Sequence, residues 1–411
     1  MPDLTMNRQK FLFIHQNFPG QFVHAATELA RLGHEVVALG IKGRPVAGVK
    51  FLRYAPKAPA RVSEIEAAID FETKIVRGTA CAQVMEKLKH SGFTPDAIVA
   101  HPGWGESLFC KDVWPNARLV MFAEFFYGAD GADYNFDPEF ASDSLAGRMR
   151  LRLKNSVHLH AMHAADAIYT PTQWQGGQIP VEYRPKTSVI FDGIDTNVVK
   201  PEPEAFIHLK RESLKLTAQD EVITFVNRNL EPYRGFHVFM RALPEILKQR
   251  PQAHVLIVGR DEVSYGAMPR NGKNWREVMM AEVGAQLPLE RVHFLGGLAY
   301  QDYLRVIQIS SCHVYLTYPF VLSWSCLEAM SAARVLVASK TGPVQEVIEH
   351  GKNGLLFDFF DVPALVRQVV DVLAKPKTFE KLRASARQTI IERYDLKTRC
   401  LPQLLGLIGR K

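Results

Sequence analysis

Val226-Asn227-Arg228-Asn229-Leu230-Glu231-Pro232-Tyr233-Arg234-Gly235 is the stretch from which the fold can be read. It follows a short β-rich run, Val222–Val226, and precedes a helical pattern over Phe236–Gln249. Strand, glycine-bearing turn and helix in that order make half of a β–α–β unit. The turn carries two guanidinium groups, Arg228 and Arg234, beside a helix start. Arginine presents a planar fork of donors, and a helix N-terminus adds positive potential, so the segment suits a diphosphate. Two solvated arginines in a turn fit the same residues.

Downstream, strands at His254–Val258, His293–Leu295, Val314–Leu316 and Val335–Ala338 alternate with helical segments, and amphipathic helices follow at Val362–Ala374 and Thr378–Ile391. Upstream, Asp195 to Ala205 lacks periodicity and reads as an interdomain connection. Before it lie strands at Lys10–Gln16, Glu35–Gly40, Ala97–Ala100, Leu119–Ala123, Ala167–Thr170 and Ser188–Phe191, with a helix over Gln21–Leu32. Short continuous apolar strands between helices predict parallel sheets covered on both faces. The length, 411 residues, exceeds the roughly 250–300 residues a single core supports. The expected fold is α/β, with two doubly wound, Rossmann-like domains facing across a cleft and ligands at the carboxyl ends of the strands.

The loops after strands are therefore where chemistry is sought. Tyr318 to Met330 follows the strand Val314–Leu316 and turns into a helix near Ser325. Its exposed N–H groups suit donor phosphates or sugar hydroxyls. Glu328, one turn in, suits ribose hydroxyls, or is an ordinary helix-terminal acid. Phe18-Pro19-Gly20-Gln21 joins the first strand to its helix, and Gly20 permits close backbone approach to a ligand or is a plain turn glycine. His101 ends the strand Ala97–Ala100 ahead of Pro102-Gly103-Trp104-Gly105. Glu106 either orients it or caps the next helix. Glu124 ends the following strand. The loop beyond, with Tyr127, Asp130, Asp133, Tyr134, Asp137 and Glu139, offers the aromatic faces and carboxylates that suit a carbohydrate. These acids lack calcium-loop spacing and the chain has no D-x-D, so no metal is expected.

The net charge of +7 favours an anionic ligand or surface, and no nucleic-acid signature is present. Five scattered cysteines without a C-x-x-C pair fit a reducing, cytoplasmic setting. No run approaches a membrane span, and the apolar start Phe11–Ile14 reads as a buried strand instead of a leader. Arg148, Arg150, Arg152 and Lys154, with Leu145, Met149 and Leu153 at four-residue spacing, form a basic helix. It reads as a solvated domain helix or as peripheral contact with the inner face of a membrane. His158, His160 and His163 continue that helix without zinc spacing.

Taken together, these segments resemble the GT-B glycosyltransferases, specifically the retaining family 4 group, over nearly the whole chain. Arg228 matches the family's first basic donor position, Arg234-Gly235 its Lys-Gly, and Leu327-Glu328-Ala329-Met330 the distal part of its Glu-x7-Glu segment. Ile190 to Asp195 and Thr341 to Leu356 resemble the segment closing the first domain and the sheet continuation of the second. The resemblance implies an acceptor-side domain over 1–195, joined by a C-terminal helix near 390–411, and a nucleotide-sugar donor domain over 196–389. It implies that Arg228, Arg234 and Glu328 hold the nucleotide diphosphate and ribose, with His101 at the reaction centre and Gly20 in the phosphate-side loop. With Phe320 in place, the sugar would be held through backbone groups of Leu322, Ser323 and Trp324, or donor affinity would be reduced. Acceptor contacts are expected at Phe18, Trp104, Glu124 and Tyr127. No cofactor and no divalent ion are implied. One departure stands out. Phe320 occupies the place of the first glutamate and cannot accept sugar hydroxyls. The expected activity is transfer of a sugar from a nucleotide-sugar to a glycan or lipid-linked acceptor, with retention. The alternatives are a nucleotide-sugar-binding partner of another transferase and a nucleotide-sugar epimerase.

Overall fold

The computed structural model describes residues 8–57, 65, 68–209, 214–270 and 272–410. The chain divides into two compact units. Unit 1 comprises Met1–Gly193 with Lys397–Lys411, and unit 2 comprises Ile194–Leu396.

Unit 1 is built on a parallel sheet. Its strands are β1 (Lys10–Ile14), β3 (Glu35–Gly40), β5 (Val49–Arg53), β6 (Ala97–Ala100), β7 (Arg118–Phe122), β8 (Ala167–Thr170) and β9 (Thr187–Val189), in the order β5-β3-β1-β6-β7-β8-β9. A two-residue pair, β2 (Asn17–Phe18) and β4 (Lys42–Gly43), sits beside it. The strands are near-continuous Phe, Leu, Ile and Val because both faces are covered. Phe11 and Phe13 face one core cluster, and Leu12 and Ile14 the other. The chain winds outward from β1 in both directions, so the switch point lies between β1 and β6. Side chains just past the carboxyl ends of those strands converge there.

Unit 2 repeats the plan. After a hairpin of β10 (Phe206–Leu209) and β11 (Leu214–Thr217), strands β12 (Val222–Asn229), β13 (His254–Arg260), β14 (Val292–Gly296), β15 (Cys312–Tyr315), β16 (Val335–Ser339) and β17 (Leu355–Phe357) pair in the order β14-β13-β12-β15-β16-β17. The switch point is between β12 and β15. The α/β class and the two doubly wound sheets are as the sequence predicts.

Several elements differ from the sequence reading. Strand β5, the helix Ile69–His90 and the hairpin were not predicted. The helix Ile69–His90 is largely polar, with Lys74, Gly78, Cys81, Met85 and Leu88 as its buried residues, so its periodicity is weak. The basic helix does not run through to His163. It breaks at Asn155 into Leu145–Lys154 and Ser156–Ala164. The helix Glu380–Arg393 lies in unit 2, and the chain rejoins unit 1 at Lys397, later than residue 390. The last helix, Leu401–Ile408, packs Leu404, Leu407 and Ile408 onto the core beneath the helix Val23–Arg31. Among the described residues, no helix is long and apolar enough to cross a membrane.

Candidate functional site

In unit 2, Arg234 sits on the 3-10 turn Pro232–Arg234 just past β12, and its side chain is buried. Its Nη1 donates to Thr317 Oγ1 at 2.7 Å and to the Val321 carbonyl at 2.9 Å. These bonds tie the turn after β12 to the loop after β15, across the switch point. Gly235 makes this approach possible. It adopts φ +69°, and a Cβ there would lie 2.3 Å from Leu316 Cβ, so no other residue fits without strain. Among the described residues, no carboxylate pairs with the Arg234 guanidinium. Aromatic rings flank it instead, with Tyr265 at 5.3 Å and Phe320 at 5.6 Å from its carbon. Arg228 is exposed, on the last turn of β12 where the register with β13 is irregular.

A residue that sequence reasoning passed over organises this corner. Glu231 is 1% exposed. Its carboxylate accepts from the backbone N–H groups of Ser264, Tyr265 and Gly266 at 3.0, 3.2 and 2.8 Å. Asn229 Nδ2 adds a bond to Ser264 Oγ at 2.7 Å. The loop after β13 is thereby drawn down so that Tyr265 covers Arg234 and packs on Phe320.

Glu328 lies in the helix Trp324–Ser331 and is buried. Both its oxygens are engaged. Tyr300 Oη donates to Oε1 at 2.8 Å, and the Tyr303 hydroxyl donates to Oε2. Burial pushes the Glu328 carboxyl up, and the two tyrosine bonds oppose that. Tyr300 is half exposed, so its phenol screens Glu328 Oε1 from the solvent side. The loop before this helix differs from expectation. Ser323 N–H is already taken by the Tyr315 hydroxyl at 2.8 Å, so of the expected backbone donors this one is engaged within the fold, and the Leu322 side chain is buried. Trp324 is exposed, and no side chain caps the first turn of its helix.

In unit 1, His15, His101 and Glu124 follow β1, β6 and β7 and meet past the carboxyl edge. His101 is buried and stacks on Trp104 at 4.3 Å between centroids. Its Nε2 lies 3.3 Å from Glu124 Oε2. Gln21 Nε2 donates to Glu124 Oε1 at 2.8 Å, and His15 Nε2 bonds Gln21 Oε1 at 3.0 Å. Burial, with His101 nearby, pushes the His15 imidazole down to about 4. Burial alone would raise the Glu124 carboxyl, but the hydrogen bonds from His101 and Gln21 hold it below the usual carboxylate range. Gly20, at φ +49°, turns the chain where a Cβ would meet His15 Nε2 at 2.4 Å.

Two sequence expectations are corrected here. Glu106 does not orient His101. It is buried and accepts the Tyr54 hydroxyl at 2.5 Å, and Glu124 takes the orienting role. Phe18 is not available to an acceptor. It is 1% exposed, stacked on Phe51 and part of the core. Tyr127 lies under Lys154, with Nζ 3.8 Å from its ring centroid. Its backbone is clasped from both sides by the Asn155 amide.

Two family models match the chain, "Glycosyl transferase family 4 group" over residues 32–199 and "Glycosyl transferases group 1" over residues 207–389. The chain is 25% identical over 355 residues to a D-inositol 3-phosphate glycosyltransferase of Corynebacterium efficiens, covering 82% of this chain and 77% of that protein. It is 25% identical over 211 residues to spore coat protein SA of Bacillus subtilis, covering 50% of this chain and about half (54%) of that relative. Among solved structures, sucrose-phosphate synthase from Thermosynechococcus elongatus superposes with a TM-score of 0.72 at 18% identity, over 97% of this chain and 98% of that one. Anabaena HepE in complex with UDP and glucose gives 0.68 at 18% identity, over 97% and 99%. These structural likenesses show a shared fold. With two doubly wound units, an arginine at the switch point of the second and both models in sequence along it, the chain belongs to the GT-B glycosyltransferases of the family 4 type.

Proposed function

We propose that this glycosyltransferase takes a nucleotide-sugar donor in unit 2 and passes the sugar to a hydroxyl-bearing glycan or lipid-linked acceptor recognised by unit 1, with retention and without a metal ion. The observation that carries the donor half is Arg234. It is a buried guanidinium with no carboxylate partner among the described residues, anchored through Nη1, at the point of the sheet where ligands bind in this fold. A buried cation in that state favours an anionic ligand, and a diphosphate matches its fork geometry. Arg228 adds charge at the rim. Glu328 accepts ribose hydroxyls once Tyr300 moves off Oε1. His101 and Trp104 orient the reacting groups in unit 1. Catalysis then rests on positioning and on stabilising charge as the diphosphate leaves. The UDP in the HepE structure is consistent with this donor class.

The acceptor side has a second supporting observation. Leu145, Met149 and Leu153 are 76, 52 and 37% exposed, and Arg150 and Arg152 are exposed beside them. The apolar stripe of this helix is not packed into the unit. An apolar stripe flanked by arginines suits an anionic membrane surface, where a lipid-linked acceptor would be met.

The test is nucleotide release from UDP-, GDP-, ADP- and dTDP-sugars. Release from one donor, lost in Arg234→Ala and Glu328→Ala, is expected. Tight nucleotide binding without release from any donor would favour a non-catalytic binding protein, the role that Phe320 suits.

A further inference from the structure

Unit 1 contains a hydrogen-bonded chain that the diphosphate chemistry of unit 2 leaves unused. Backbone groups fix its tautomers. Asn17 N–H donates to His15 Nδ1 at 3.0 Å, and Gly103 N–H donates to His101 Nδ1 at 3.0 Å. An imidazole nitrogen that accepts a hydrogen bond carries no proton, so each neutral ring carries its proton on Nε2. His15 Nε2–H then donates to Gln21 Oε1. That sets the Gln21 amide so that its Nε2 donates to Glu124 Oε1. The flipped amide would turn its NH2 against His15 Nε2–H, so only one orientation is consistent. His101 Nε2–H donates to the other oxygen, Oε2. His15, Gln21 and His101 each donate to an acceptor in the chain, and both branches end on one carboxylate.

We propose that His15 and Gln21 are positioning residues for Glu124, and that the carboxylate they hold beside His101 receives a hydroxyl of the acceptor. This rests on the glycosyl-transfer reading above. Each Glu124 oxygen has one side-chain donor and a second lone pair to offer, and the side chain is 31% exposed. The backbone of Glu124 is pinned as well, its carbonyl accepting from the Gln175 amide. The groups facing the carboxylate are His15, Gln21 and His101, with Glu106 and His158 interacting electrostatically with His101. Gly20 belongs to the same device, since a side chain there would displace the His15 ring.

Two measurements on the full chain decide the matter. In protein labelled with 15N-histidine at pH 7, His15 and His101 are expected as neutral rings protonated at Nε2. A proton on Nδ1, or a cationic ring, at either position overturns the chain of bonds. With the donor that the wild type turns over, Gln21→Leu is expected to lower kcat for nucleotide release at least tenfold while leaving the donor KM within twofold. Gln21→Glu, which sets a second carboxylate against Glu124, is expected to move the acid limb of the kcat profile up by a pH unit or more. Unchanged kcat and pH profile in both variants would overturn the positioning role, as would a raised donor KM with unchanged kcat. A wild type silent on all donors removes the glycosyl-transfer reading and the role of Glu124 with it. The NMR result still decides the hydrogen-bonded chain on its own.

Discussion

Glu231 shows how much one side chain can organise. A buried carboxylate needs compensation, and it finds three backbone N–H groups 33 to 35 residues away. Hydrogen bonds to a charged group are worth about 1.5–3 kcal/mol each. Glu231→Ala is therefore expected to destabilise the protein by about 3 kcal/mol or more and to weaken nucleotide binding, because Tyr265 loses its hold over Arg234. Glu231→Gln keeps one acceptor oxygen and should cost roughly half as much. Thermal unfolding and calorimetric titration with the nucleotide read both effects. Glu231 lies in the stretch that revealed the fold, yet its role was illegible there, because its partners are set by the path of the loop after β13. The turn that bears Arg234 and the helix that bears Glu328 were legible, since local patterns mark both elements. The tyrosines that close on Glu328 were not. They come from another helix, Tyr300–Ile309.

At the level of elements, the helix Leu145–Lys154 is the clearest case. Four-residue apolar spacing normally signals a face packed on the core, but the stripe Leu145, Met149, Leu153 is open to solvent. Replacing all three with Gln should leave stability nearly unchanged, within about 0.5 kcal/mol per site. The same variant should co-sediment less with vesicles containing anionic phospholipid. A large loss of stability would mean that the stripe is covered within the fold. At the break, the Asn155 amide bonds both backbone groups of Tyr127 and anchors the start of the loop after β7. No periodicity could announce that contact.

For the molecule as a whole, buried neutral histidines set the response to acid. Burial lowers His15 to about 4, and His158 and His313 to about 3. Unfolded, all three titrate near 6.5. Below that pH the unfolded chain binds protons that the folded chain refuses, so stability is full above about 6.5 and falls as pH drops toward the folded values. The slope approaches about 1.4 kcal/mol per pH unit for each histidine. Urea unfolding at pH 7.0 and 5.5 should show a marked loss at the lower pH, with the unit 1 signal more sensitive because it holds His15 and His158.

The sequence by itself determined the class of fold, the alternation of strand and helix, and the position of the turn that bears Arg228 and Arg234. These depend on local pattern, since strand composition and turn chemistry act over a few residues. The tertiary structure alone decided which groups meet. His15, Gln21, His101 and Glu124 lie up to about a hundred residues apart and converge only because a doubly wound sheet brings the ends of β1, β6 and β7 to one edge. The same geometry buried Phe18 and turned Glu106 toward Tyr54. Local pattern specifies that a residue follows a strand, but the partners it finds depend on strand order, which no short segment encodes.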